Sequence, residues 1–329
     1  MTNDKHPSIS VKDFQSEAVP DWCAGCGDFG ILRAIERALV SLGRRPEEVA
    51  VFGGIGCSGK SPYYLSTYGV HTLHGRVLPF AFGAKLANPA LTVLALGGDG
   101  DGLGIGGGHF LNAGRRNLDL TYILFNNGVY GLTKGQAAPT LRAGDQTKAM
   151  PSPNWQGEVN PLMLALTAGF SWVGRGYAYD VKQLSELVVQ AITQPGLAYL
   201  DVLQPCPVYN DLYTKEWFAG DDREPRLPRL YTLETEGYEP RVPKGASESE
   251  RQRVVCEAYA KSQEWGARIP TGVFLQDLSR PFLLDELAAR QPGYPQTAPA
   301  TRCIADAKGQ STADLSAVLE RLTVVRSEG

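Results

Sequence analysis

The chain has little of what marks several large classes of protein. Its 329 residues include only six cysteines, and its formal net charge is −3. At this length, so few cysteines cannot form the disulfide framework of a small secreted domain. The nearly balanced charge, without a basic run interleaved with aromatics, argues against binding to nucleic acid. No apolar run reaches the roughly 18 residues that a membrane helix needs, so we expect no membrane partner.

What is present favours a soluble, cytoplasmic protein. Hydrophobic residues make up 43% of the chain, which is enough to bury a substantial core. Residues 1–19 are polar and lack the apolar core of a secretion signal. Cys23 and Cys26 are spaced as C-x-x-C. In a reducing cytosol such a pair is more often a metal or redox site than a structural disulfide.

Predicted strands and helices alternate along the chain up to about residue 203. Continuous apolar runs such as 91–96 and 120–125 are typical of strands buried on both faces of a parallel sheet. The remaining pattern predicts helices over 28–42, 103–116, 161–168 and 181–192, and strands over 50–53, 170–173 and 198–203. This alternation predicts an α/β fold, with a parallel sheet flanked by helices.

We predict three regions along the chain. Residues 1–22 form an N-terminal arm, residues 23–210 the principal domain, and residues 211–329 a C-terminal extension that packs on the core or on a partner subunit. The boundary lies where the sequence becomes rich in proline, charge and aromatics and loses its periodicity. Within the extension, 247–265 and 314–322 have the pattern of amphipathic helices.

The strongest functional signal is Gly98-Asp99-Gly100 followed by Asn126-Asn127. Each group ends a predicted buried strand, so both lie at the carboxyl edge of the sheet, where such folds bind ligands. The glycines let backbone amides approach a phosphate, and the helix that follows directs its positive end towards the same anion. A carboxylate and an amide oxygen are hard ligands suited to Mg²⁺. The alternative is a glycine-rich turn in which Asp99 only caps a helix.

This order of strand, Gly-Asp-Gly, helix, strand and Asn-Asn resembles the thiamine-diphosphate enzymes. The resemblance implies the diphosphate-binding domain of the thiamine-diphosphate-binding fold. It implies that Asp99, Asn127 and the Val129 carbonyl ligate Mg²⁺, and that Gly100 and Asp101 belong to the cofactor site.

Further motifs narrow the resemblance. They are the segments 22–28, 54–60, 74–79, 126–135 and 205–207, which read WCAGCGD, GIGCSGK, HGRVLP, NNGVYGLTKG and PCP. Together, over about residues 15–300, they resemble the β subunit of a 2-oxoacid:ferredoxin oxidoreductase, most of all the 2-oxoglutarate (KorB-type) branch.

The resemblance to this family implies one [4Fe–4S] cluster and several further site residues. The cluster would be held by the thiolates of Cys23, Cys26, Cys57 and Cys206. A zinc site is the alternative, although the cysteine spacing is not that of a zinc ribbon. His74 and Ser58 would contact the cofactor, and Lys60 and Lys134 would pair with a substrate carboxylate. For each lysine, the alternative is an ordinary surface residue.

The resemblance also implies a partner and a reaction. Thiamine needs a glutamate at its aminopyrimidine ring, and in this family the α subunit supplies it. No segment of the chain indicates a second, pyrimidine-binding domain, so we expect activity only in an αβ or α₂β₂ assembly. The implied reaction converts 2-oxoglutarate and CoA to succinyl-CoA and CO₂, or the reverse, with ferredoxin as electron acceptor.

Three other functions stay open on the sequence alone. The same chemistry could act on pyruvate or another 2-oxoacid. The chain could be an iron–sulfur electron-transfer subunit without thiamine, which the Gly-Asp-Gly and Asn-Asn element argues against. It could also be a non-redox thiamine lyase or synthase, which would not need the cysteines.

Overall fold

The computed structural model describes residues 9–323, and its main feature is a nine-stranded sheet accompanied by a small hairpin. The strands are β1 (Val49–Gly53), β2 (Tyr68–His71), β3 (Thr92–Gly98), β4 (Leu120–Asn126), β5 (Val129–Tyr130), β6 (Gln136–Ala137), β7 (Trp172–Tyr177), β8 (Leu197–Leu203), β9 (Leu230–Thr232), β10 (Arg241–Val242) and β11 (Ile269–Asp277). The helices are α1 (Asp28–Ser41), α2 (Ser61–Tyr64), α3 (Val77–Ala87), α4 (Gly107–Arg116), α5 (Pro161–Ala168), α6 (Val181–Thr193), α7 (Lys215–Ala219), α8 (Glu248–Ser262), α9 (Leu283–Arg290) and α10 (Ser316–Leu322).

The order across the main sheet is β10-β11-β7-β8-β4-β3-β1-β2, and β9 also pairs with β11. All neighbours from β7 to β2 are parallel, and β11 runs antiparallel to β7. The predicted α/β fold with a parallel sheet flanked by helices is confirmed. Strands β3 and β4 are adjacent at the centre, so the residues that follow them meet at the same edge.

Apolar layers cover both faces of the sheet. On β3, Leu94 and Leu96 face a core that α1 and α6 complete. The alternate residues Val93 and Ala95 face a second core formed with α3, α4, α5 and α8. This two-sided burial is why the strand sequence is continuously apolar rather than alternating.

The chain beyond residue 210 adds to the same sheet. Strand β11 lies beside β7, and Phe274 on β11 packs in the same core as Val254 and Ala258 of α8. Helices α8 and α10 correspond to the helices predicted over 247–265 and 314–322. At the other end of the chain, the arm is described from residue 9, and its Phe14 is fully buried. None of the helices within residues 9–323 is long and apolar enough to cross a bilayer.

Candidate functional site

Asp99 lies at the end of β3, buried beneath the chain that follows β4. Its Oδ1 accepts a hydrogen bond from the Gly100 amide at 3.0 Å, and its Oδ2 accepts one from the Gly128 amide at 2.8 Å. The Thr140 hydroxyl also donates to Oδ2. Burial raises the pKa of Asp99 to about 6, although these hydrogen bonds favour its charged form. A nearby divalent cation would further stabilise the carboxylate.

Asn127 lies next to Asp99, because Gly128, which follows it, donates to the Asp99 carboxylate. The Asn127 Nδ2 donates to Gln204 Oε1 at 2.8 Å, and its Oδ1 accepts from the Val129 amide at 2.9 Å. Val129 then pairs with Ala137 in the β5–β6 hairpin. The three residues predicted to ligate Mg²⁺ therefore lie together at the sheet edge.

The predicted Mg²⁺ ligands differ from those of a typical all-side-chain metal centre. Within residues 9–323, no three His, Cys, Asp or Glu side chains are arranged around a single ion. The Asp99, Asn127 and Val129 set combines one carboxylate with an amide and a backbone oxygen. Such a set suits Mg²⁺ when phosphate oxygens complete the coordination.

The helix after Gly98-Asp99-Gly100 begins later than the sequence predicts. Residues Gly100–Ile105 form a π-helical turn, and α4 begins at Gly107, so the helix predicted over 103–116 is wrong at its start. The turn passes very close to β4: a Cβ built on Gly102 would lie 1.9 Å from the Tyr122 hydroxyl oxygen. The glycine-rich sequence thus permits a wide turn packed tightly against the strand, rather than a regular first turn of helix.

Asp101 organises the loops around this turn. Its Oδ1 accepts from the amides of Ile55 and Gly75, at 3.0 and 2.8 Å, and lies 2.7 Å from His74 Nδ1. Since a carboxylate oxygen accepts, Nδ1 carries the hydrogen, which leaves the other ring nitrogen of His74 as an acceptor in the neutral ring. Asp101 therefore orients His74 and holds two backbone segments in place.

A cavity of about 130 Å³ lies between these groups. Its lining includes the predicted cofactor residues Ser58, His74, Asp99, Gly100, Asp101, Asn127 and Val129, together with Cys57 and Asp28. Ser58 Oγ and Asp101 Oδ2 are buried without a hydrogen-bond partner among residues 9–323. Unpaired buried polar atoms around a cavity are expected where a polar ligand completes the hydrogen bonding. Of these two atoms, only the Ser58 hydroxyl can donate to a phosphate oxygen. Mg²⁺ on Asp99 and Asn127 would neutralise the diphosphate, so these residues fit a metal-bound diphosphate.

Asp28 is a site residue that the sequence pattern did not single out. It begins α1, is 1% exposed, and neither of its carboxylate oxygens has a hydrogen-bond partner among the described residues. Burial raises its pKa to about 7. The sequence did offer one signal for Asp28, which is its position directly after Cys26-Gly27. Thr140 offered no such signal, because it contacts Asp99 from a distant loop.

The four cysteines predicted to hold a cluster converge beside this cavity. Cys26 Sγ accepts a hydrogen bond from Gln204 Nε2 at 3.3 Å, and the Gly27 amide donates to the Pro205 carbonyl at 3.3 Å. The Cys26 amide donates to the Cys23 carbonyl at 3.0 Å. The first cysteine pair thus lies against the segment that carries Cys206.

Cys57 and Cys206 flank Gly131 on the loop after β5. A Cβ built on Gly131 would lie 3.6 Å from Cys57 Sγ and 3.9 Å from Cys206 Sγ. Burial raises the pKa of the Cys57 thiol to about 12 and also raises the pKa of Cys206. All four cysteines are free thiols, as are the exposed Cys256 and Cys303. Four converging free thiols fit an iron–sulfur cluster, whose several irons space their ligands more widely than one ion does.

The two lysines predicted to bind substrate lie outside the cavity lining. Lys60 Nζ pairs with both carboxylate oxygens of Asp21, at 2.9 and 3.0 Å. Lys134 is exposed and has a left-handed backbone conformation, with φ of 88°, in the loop that also carries Gly131. The neighbouring residues Leu132 and Thr133 do line the cavity. The substrate roles of both lysines stay predictions.

Comparison with protein families identifies the general class. Residues 54–202 match the family described as thiamine pyrophosphate enzyme, C-terminal TPP binding domain. Residues 206–291 match the family of the C-terminal part of the pyruvate ferredoxin oxidoreductase beta chain. The first match covers the site around Asp99 and Asn127, and the second begins at Cys206. The fold is that of a thiamine-diphosphate-binding domain.

Individual relatives define the family more closely. A 2-oxoacid:ferredoxin oxidoreductase subunit beta of Saccharolobus solfataricus is 49% identical, over 92% of this chain and 97% of its own. A 2-oxoglutarate oxidoreductase subunit KorB of Mycobacterium tuberculosis is 46% identical over 61% of this chain and 54% of its own. A solved 2-oxoglutarate:ferredoxin oxidoreductase from Magnetococcus marinus, with 2-oxoglutarate, coenzyme A and succinyl-CoA bound, has a TM-score of 0.74 at 34% identity, covering 89% of this chain and 95% of its own. This chain belongs to the β subunits of the 2-oxoacid:ferredoxin oxidoreductases.

Proposed function

We propose that this chain binds thiamine diphosphate through Mg²⁺ and one [4Fe–4S] cluster, and that it oxidises 2-oxoglutarate together with an α subunit. The observation that carries the proposal is the convergence of four free thiols beside the cavity of Asp99 and Asn127. An electron carrier at the cysteines would lie next to the cofactor that releases the electrons. The overall change converts 2-oxoglutarate and CoA to succinyl-CoA and CO₂, and two electrons pass one at a time to ferredoxin.

Different residues of this chain would bind different parts of the cofactor. Asp99, Asn127 and the Val129 carbonyl would hold Mg²⁺, and the backbone of the Gly100–Ile105 turn would lie against the diphosphate. When bound, thiamine supplies the electron sink for decarboxylation, and the cluster supplies one-electron transfer. His74, which Asp101 orients through Nδ1, would donate from its other ring nitrogen to a diphosphate oxygen in its protonated form.

The cavity lining supports the need for an α subunit. Among the described residues that line it there are three aspartates but no glutamate, which is the residue that this family places at the aminopyrimidine ring of thiamine. The relatives named above are β subunits, a name that implies a partner. We therefore propose that the site is completed by the α subunit and that the isolated chain is inactive.

The proposed function is tested by anaerobic turnover of the co-expressed αβ pair. We expect reduction of a viologen dye with 2-oxoglutarate and CoA, little reduction with pyruvate or branched 2-oxoacids, and none with this chain alone. A preference for pyruvate would contradict the proposed substrate but not the proposed cofactors. A pair that contains iron but no stoichiometric thiamine would instead indicate an electron-transfer subunit.

The Gly54→Ala substitution tests whether Asp101 contributes to the binding of the cofactor. The Cβ of a Gly54→Ala variant would lie 2.0 Å from Asp101 Oδ2, so the carboxylate must move and release the Ile55 and Gly75 amides. We expect the affinity of the αβ pair for Mg²⁺–thiamine diphosphate to fall by about 10- to 100-fold, as for losses of supporting contacts at metal sites. Titration calorimetry of the cofactor-stripped pair measures this.

The matched control is Gly107→Ala, at a glycine of α4 whose Cβ would meet no atom within 4 Å. It should bind the cofactor like the unaltered protein. Equal affinities for the two variants would mean that Asp101 does not position the site.

A substitution at Lys60 tests the proposed recognition of the distal carboxylate. If Lys60 exchanges Asp21 for substrate, Lys60→Gln removes a charge-assisted hydrogen bond, and we expect KM for 2-oxoglutarate to rise roughly tenfold. The much lower turnover of pyruvate, which lacks a second carboxylate, should not change. Lys182→Gln is the control, since Lys182 is an exposed lysine on α6, outside the lining of the cofactor cavity. An unchanged KM for 2-oxoglutarate would mean that Lys60 does not bind substrate and only forms a structural ion pair with Asp21.

A further inference from the structure

A second and larger cavity lies beside the cofactor site. Its volume is about 380 Å³, within the range of small-molecule pockets. It shares Asn127 and Gln204 with the cofactor cavity but includes none of the cysteines and none of the Gly98–Gly100 turn. The proposed reaction gives this space no role.

Arg175 on β7 is a buried charged residue in the lining of the second cavity. Its side chain is only 3% exposed, and its Nε donates to Asp201 Oδ2 at 2.7 Å. Its Nη1 has no hydrogen-bond partner among residues 9–323. A guanidinium group carries five N–H donors and no acceptor, so a buried N–H group without a partner carries a desolvation cost.

Asp201 cannot rotate to satisfy this edge without losing another contact. Its second oxygen, Oδ1, accepts from Asn126 Nδ2 at 2.9 Å. The free edge of Arg175 therefore needs an acceptor from outside the described residues. A planar carboxylate matches a guanidinium edge best, because two parallel hydrogen bonds can form.

The other residues that line the cavity indicate the chemical character of the part of the ligand that carries no charge. Trp265 and Phe218 give an aromatic surface, and Met163 gives a flexible apolar one. The Arg175 guanidinium carbon lies 5.8 Å from the centre of the Trp265 ring. Arg142 and Glu158 both line the cavity and form an ion pair at 3.4 Å, so together they add no net charge to it.

We propose that this cavity binds a small monocarboxylate with a compact apolar or aromatic body. The carboxylate pairs with the free edge of Arg175, and the body packs against Trp265, Phe218 and Met163. The cavity adjoins the thiamine site at Asn127 and Gln204, and the proposal does not depend on the reaction assigned above.

The test uses the anaerobically purified αβ complex and benzoate as the probe. We expect saturable binding of benzoate by titration calorimetry and none of benzamide, which has the same shape without the charge. Arg175→Lys keeps a cation for Asp201 but removes the fork of donors, and we expect about tenfold weaker binding or worse. Crystals soaked with benzoate should place its carboxylate on Arg175.

A second variant separates loss of the site from loss of folding. Met163→Trp places a larger side chain in the cavity and leaves Arg175 and Asp201 unsubstituted, and we expect it to prevent benzoate binding while the melting temperature and viologen reduction are kept. Benzoate that binds equally to all three proteins would overturn the proposal. So would a wild-type complex that binds no benzoate, or a soaked crystal whose cavity holds only waters.

Discussion

The Asp99→Asn variant is expected to lose thiamine diphosphate while keeping its fold. The substitution removes the only carboxylate among the three proposed Mg²⁺ ligands. A lost ligand should cost at least the roughly 100-fold in affinity that marks the upper end for supporting residues at metal sites. Calorimetric titration of the cofactor-stripped αβ pair with Mg²⁺–thiamine diphosphate measures the affinity, and viologen reduction should fall to background.

The fold should survive because asparagine occupies nearly the same space. The carboxylate accepts from the amides of Gly100 and Gly128 and from the Thr140 hydroxyl, and an asparagine oxygen can keep one of the amide contacts. A buried donor left without an acceptor lowers the free energy of unfolding by about 1–3 kcal/mol. Removing a charge whose burial is unfavourable offsets part of this cost, since burial raises the pKa of Asp99.

The matched control is Asp277→Asn, at another fully buried carboxylate. Asp277 lies at the end of β11 and accepts from Arg251 Nε at 2.7 Å, away from the cofactor cavity. This variant should lower the melting temperature and still bind the cofactor. If both variants bind thiamine diphosphate normally, Asp99 is not a metal ligand and the proposed site is wrong.

The two central strands and the polar residues at their carboxyl ends could be predicted, because the local sequence determines both. Strands β3 and β4 are buried on both faces, so each is a continuous apolar run that ends in polar, glycine-rich residues. Parallel pairing of the two strands then places Asp99 and Asn127 together without further information. The cysteine assignment needed the resemblance, because the sequence alone does not distinguish four of the six cysteines.

Other elements were missed for reasons that are visible in their residues. Strand β11 contains Pro270 and Gly272, which normally argue against a strand, and Gly272 has φ of +108° near an irregular pairing with β7. Strand β2 is an edge strand and mostly exposed, so it has no apolar signal. The contact of Thr140 with Asp99 joins distant parts of the chain, and only the folded loop brings them together.

Replacing both Cys57 and Cys206 by serine is expected to remove the cluster. These two sulfurs flank Gly131, so the double variant deletes one side of the proposed thiolate set. Serine oxygens are poor ligands for iron–sulfur clusters, which select soft thiolates. We expect iron and acid-labile sulfide in the anaerobically purified αβ pair to fall from about four atoms of each per cluster to near background. Viologen reduction should be lost with them.

The chain contains its own control for this experiment. Cys256 and Cys303 are exposed free thiols outside the site, so a Cys256→Ser, Cys303→Ser protein should keep its iron, its visible absorption and its activity. Equal iron loss in both double variants would contradict the assignment of the four ligands. Stoichiometric zinc in place of iron in the unaltered protein would leave the cysteines as ligands but remove the electron carrier. The chain would then keep a thiamine site without a route for one-electron transfer, and a non-redox thiamine enzyme would become the better explanation of the same geometry.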